Sequence, residues 1–70
     1  MEATEWITAF ANELGVPAPN RDEMDEILRL AAIAAHSSER IAAPIACYLT
    51  GVAARPLGEA IEIAERVPGG

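Results

Sequence analysis

Arg21–His36, RDEMDEILRLAAIAAH, opens on a crowd of acids and closes as an almost unbroken apolar run. Met24, Ile27, Leu28, Ala31 and Ala35 recur at three and four residues, the spacing that lays side chains along one side of an α-helix. Leu30, Ile33 and Ala34 lie across the axis from that stripe, so the later half is apolar over most of its circumference. Only a narrow arc through Asp25, Arg29, Ala32 and His36 is left for water. A helix of this kind belongs at the centre of a bundle. Asn20 with Glu23 three residues on forms a capping box, and Asp22, Glu23, Asp25 and Glu26 sit where the helix dipole favours negative charge.

Toward the N-terminus, Ala3, Trp6, Ile7, Phe10 and Leu14 make the apolar stripe of a first helix. Gly15 stands where a left-handed cap is expected, and Pro17 blocks continuation. Val16-Pro-Ala-Pro-Asn20 is a stiff connector, because each proline fixes its own φ and restricts its predecessor. Trp6 and Phe10, one turn apart, read as core aromatics. No basic residues interleave with them, as a platform for stacking bases would require.

Toward the C-terminus, His36-Ser-Ser-Glu-Arg40 is a polar junction, and Pro44 suits the first turn of a third helix over Ala43–Ala54. One face of that helix carries Ile45, Tyr48, Leu49 and Val52. The other carries Ala43, Cys47, Thr50, Gly51 and Ala54, all small, and no charge appears before Arg55. Arg55-Pro56 stops the helix. A fourth follows with Leu57, Ala60, Ile61, Ala64 and Val67 inward and Glu59, Glu62, Glu65 and Arg66 outward, and residues 67–70 form a frayed end. The expected fold is all-α: one domain over residues 1–70, a compact bundle of four short helices.

Size makes such a bundle marginal. A 7.4 kDa chain hides roughly 6,500 Å² on folding. If about 60% of that is apolar, the gain is on the order of 100 kcal/mol. Ordering 70 residues costs on the order of 105 kcal/mol. No staple closes the gap: the single cysteine, Cys47, excludes an intrachain disulfide, and one Cys with one His cannot build a four-ligand zinc site. A second and a third helix apolar on two sides then call for a partner, most simply a second copy across a two-fold axis. Ala43, Cys47, Thr50, Gly51 and Ala54 are the candidate interface, because small side chains let another helix approach closely. Such an approach would also explain a glycine inside a helix.

Eleven acids against five arginines leave a net charge of −6. No basic stripe replaces counterions, so charge argues against nucleic acid as a partner. The longest uncharged stretch, Ile41–Ala54, is too short to span a bilayer, which needs about 20 residues, and MEATEW lacks the layout of a secretory signal. With no disulfide in prospect, a cytoplasmic location is expected.

His36, Ser37, Ser38, Glu39 and Arg40 form the densest polar cluster. Arg40 could grip a phosphate or carboxylate bidentately with His36 donating beside it, an anion site for a cofactor or nucleotide. The plainer reading weighs more: a histidine at the negative end of a helix dipole, and Ser38 capping the next helix. No nucleophile–base–orienter set can be assembled, so no catalytic residue, metal ligand or cofactor is expected. Cys47 sits among Ala, Thr and Gly as a buried structural cysteine, and Tyr48 reads as a core aromatic with its hydroxyl at the rim. Gly69-Gly70 matches the C-terminal di-glycine of sulfur carriers, but those are β-rich and this chain offers no strand set.

Trp6, Ala35-His36, Arg40, Ala43-Pro44 and Leu49-x-Gly51-x-Ala53-Ala54 together resemble a short bacterial domain of unknown function, found alone or appended to molybdenum-cofactor guanylyltransferases. The resemblance covers nearly the whole chain. Ser37 and Arg55 depart from it, standing where family members often carry glycine. It implies a role in molybdenum-cofactor maturation beside the guanylyltransferase, whose own nucleotide-binding α/β domain is absent here. The expectation is a non-enzymatic, homodimeric helical adaptor. The alternative is a small-ligand module holding an anion at His36 and Arg40.

Overall fold

The computed structural model describes residues 1–68 and forms four helices, with no strand among the described residues. They are α1 (Ala3–Leu14), α2 (Arg21–Ser37), α3 (Ala42–Ala53) and α4 (Leu57–Arg66). The all-α bundle is as read from the sequence. Gly69 and Gly70, with the di-glycine reading attached to them, lie outside the described residues.

The punctuation between helices follows local chemistry. Gly15 takes φ 78°, and the N–H of Val16 reaches back to the carbonyl of Ala11 at 3.0 Å, closing α1 in a left-handed cap. At the start of α2 the Glu23 N–H donates to Asn20 Oδ1, and the Asn20 N–H donates to Glu23 Oε1, both at 2.8 Å. Two of the four orphan donors at that end are thereby satisfied. Ser38 departs from expectation. It closes α2, donating its N–H to the carbonyl of Ala34, and α3 instead begins from a turn in which Ala42 N–H donates to the carbonyl of Glu39. α3 ends with Ala54 in the left-handed region at φ 55°, before Arg55-Pro56 turns the chain into α4.

α2 is the organising element, with α3 and α4 both laid along it. Leu30, at 2% exposed, is the most buried residue of the core, with Ile61 of α4 close behind. Arg29 on the wet arc pairs with Glu65 of α4 at 3.5 Å, and Asp25, Ala32 and His36 are exposed as expected. Leu28 is a correction: assigned to the main apolar stripe, it is exposed, because α3 and α4 cover the Leu30 side of the helix.

α1 stands apart. Among the described residues it makes no packing on another helix comparable to that of α3 or α4 on α2. Ala11 is its one buried residue. Trp6 and Phe10, expected in the core, are 56% and 49% exposed. They stack on each other with ring centroids 5.0 Å apart. The cause is the attachment: α1 meets the rest of the chain only through the proline-stiffened connector and along its Ala11 edge, so its aromatic stripe shields itself.

Candidate interaction surface

α3 and α4 flank α2 without closing over it. Between them run two adjoining recesses of about 300 and 330 Å³, sharing Ala46, Leu49, Ala64 and Val67. Leu30, Ile33 and Ala34 of α2 form the floor. The walls mix small and large residues, with Ala42, Ala46 and Ala53 beside Ile45 and Leu49 on α3, and Ala60 and Ala64 beside Ile63 on α4. Thr50 brings a hydroxyl to this groove, but that hydroxyl donates to the carbonyl of Ala46 at 2.9 Å and is satisfied within its own helix. Arg55 is the one charged residue lining either recess, and it pairs with Glu59 one turn on.

From the lip of the groove a ridge continues along α3. Ile45 and Leu49 stand at its edge, and Ile41, Tyr48 and Val52 carry it outward, all more than half exposed. Tyr48, expected as a core aromatic, is 69% exposed, which corrects that assignment. The reason lies in which side of α3 rests on α2. Ala42, Ala43, Ala46, Cys47 and Thr50 are the half-buried positions, so the large residues are turned to solvent.

The five small residues read as an interface are brought together in part. Cys47, Thr50, Gly51 and Ala54 share a third recess of about 410 Å³ with Ile27 and Leu30 of α2 and Leu57 of α4, whereas Ala43 is half-buried outside it. Within the chain nothing lies within 4 Å of where a Cβ on Gly51 would stand. Cys47 is a free, half-buried thiol.

His36 and Arg40 are both exposed. Neither makes a side-chain hydrogen bond or ion pair among the described residues, and neither lines any of the three recesses. Nothing there resembles a concave pocket floored by Arg40. Among the described residues no group of three or more His, Cys, Asp or Glu side chains is placed to hold a metal ion, and no helix is long and apolar enough to cross a membrane. No buried side-chain polar atom among them lacks a partner. The ridge was visible in the sequence as one face of the third helix, but the groove was not. Its walls come from residues on separate helices, and the one-turn spacings of Ala42 with Ala46 and of Ala60 with Ala64 do not show that the two pairs face each other.

No curated protein and no solved structure matches the chain. A four-helix chain with an apolar groove and ridge, matched over residues 1–68 by one family model, belongs to the family described as Domain of unknown function (DUF6457).

Proposed function

We propose that this chain is a non-enzymatic helical interaction module, homodimeric, which serves molybdenum-cofactor maturation in the cytoplasm by docking onto the guanylyltransferase. The observation that carries the docking part is the ridge of Ile41, Ile45, Tyr48, Leu49 and Val52, five large apolar side chains left to water on one short helix and the residue that leads into it. Contiguous apolar surface of that kind, without a polar group converging on it, marks a protein–protein contact more often than a ligand site. The resemblance to the bacterial domain supplies the pathway and the partner.

Light scattering on a sizing column, with the protein alone and mixed with the guanylyltransferase from the same source, tests the proposal. A mass near twice 7.4 kDa alone and co-elution with the enzyme are the expected results. A monomer that ignores the enzyme would overturn it. In the mixture, Tyr48→Glu on the ridge is expected to weaken co-elution at least tenfold, as charge placed in an apolar contact does.

A further inference from the structure

We infer that the groove between α3 and α4 receives helix α1 of a second copy of this chain, in a reciprocal exchange; the inference rests on the proposed self-association. The groove is the seat of a missing helix. In a four-helix bundle each helix packs on two neighbours around a shared core. Here α3 and α4 both lie on α2 and together bury Leu30, but the space over the half-buried Ile33 and Ala34 stays open, and no residue of α1 lines it.

α1 has the shape and polarity that the seat requires. Its stripe of Trp6, Phe10 and Leu14 is bulky and exposed, while the groove walls set Ala42, Ala46, Ala53, Ala60 and Ala64 between Ile45, Leu49, Ile63 and Val67, so bulky side chains can seat over the small positions. Ser37 and Ser38 bring hydroxyls to one end of the groove, that of Thr50 is bonded within its own helix, and the one charged lining residue is Arg55. Arg55 is already paired with Glu59, so the groove offers the stripe of α1 apolar surface and no unpaired charge.

The surface area points to a second copy. The chain exposes 5474 Å², against about 4,200 Å² expected for a folded monomer of its mass. The surplus is roughly 1,300 Å², which exceeds the roughly 800 Å² that each partner gives to a standard stable interface. Its radius of gyration, 12.7 Å, is likewise above the roughly 11 Å of a closed domain of this length. Each chain offers both the helix and the groove, so a two-fold pair satisfies both and closes without leaving ends.

Two double variants separate the helix from the groove. Trp6→Glu with Phe10→Glu spoils the helix and keeps the groove. Ala46→Phe with Ala64→Phe fills the groove and keeps the helix. By light scattering the unaltered chain is expected at twice the monomer mass and each variant alone at the monomer mass. An equal mixture of the two is expected to return to the doubled mass, because one intact helix still finds one intact groove. A helix variant that stays dimeric overturns the exchange and moves the pairing to another face, leaving the interaction-module reading in place. An unaltered chain that is monomeric also overturns it, and co-elution with the guanylyltransferase then decides the module reading separately. Far-ultraviolet circular dichroism confirms that both variants remain helical. Should the filled-groove variant unfold, Trp6, the sole tryptophan, gives the second readout. Its emission is expected to shift to longer wavelength as the unaltered chain is diluted into monomers, and emission that stays constant on dilution overturns the exchange.

Discussion

Ala54 is held at φ 55°, a conformation in which an L-residue with a Cβ costs about 1–2 kcal/mol and glycine costs almost nothing. Ala54→Gly is therefore expected to raise stability by about 1 kcal/mol, which in a domain of this length lifts the melting temperature by about 4–8 °C. Gly51 poses the opposite case. It lies inside α3 with open space where a Cβ would stand, so Gly51→Ala is expected to add about 1 kcal/mol through helix propensity alone. Urea titration checks both, and light scattering on Gly51→Ala checks that the doubled mass survives. A loss of association on adding one methyl would place the partner on the small-residue face instead. At this scale the sequence was legible wherever the chemistry is local. Gly15 and the Asn20–Glu23 pair name their own caps, because each needs only neighbours within a few residues. Ala54 gave no such sign, since alanine carries no preference for the left-handed region. Arg55-Pro56 fixed where the helix stops but not how.

α2 bears most of the stability of the element framework, because α3 and α4 meet through it more than through each other. Leu30→Ala removes the side chain at the centre of that contact and is expected to cost about 2–5 kcal/mol. In a domain whose terms balance this closely, that loss unfolds a large share of the molecules at 25 °C, which circular dichroism would read directly. Leu28→Ala, on the exposed side of the same helix, is expected to change stability by less than about 0.5 kcal/mol. The pair tests which side of α2 is the core. Four helices and their approximate limits were legible because a period of 3.6 residues is written into each segment. The exposure of Leu28, Trp6, Phe10 and Tyr48 was not. Periodicity shows which side of a helix is apolar, but only packing between helices decides which apolar side is covered. α1 has a clear stripe and little to lay it on.

The whole molecule combines a net charge of −6 with apolar surface it does not cover itself. Bringing two such chains together works against their mutual repulsion, which salt screens with a Debye length of about 10 Å at 0.1 M. Raising salt from about 50 to about 500 mM is therefore expected to tighten self-association by about threefold or more, measured by sedimentation equilibrium; weakening with salt would mean that ion pairs hold the dimer. Folding is also expected to depend on protein concentration, with the melting temperature rising as the chain is concentrated. A midpoint constant over a hundredfold range would show that the folded unit is the single chain. The overall arrangement was the least legible level. No residue records the separation of α3 and α4, and the groove exists only because both lean on α2 without meeting over Ile33 and Ala34.

That open groove also bears on how much of the protein a cell keeps. Chaperones and proteases recognise uncovered apolar surface, and a molecule this close to the stability threshold spends a measurable fraction of its time accessible to them. A chain too dilute to pair with a second copy is therefore expected to be cleared faster than one that is paired. Pulse-chase labelling at two expression levels reads this out: turnover is expected to slow as the chain becomes concentrated enough to pair, so that a scarce chain is removed and an abundant one persists.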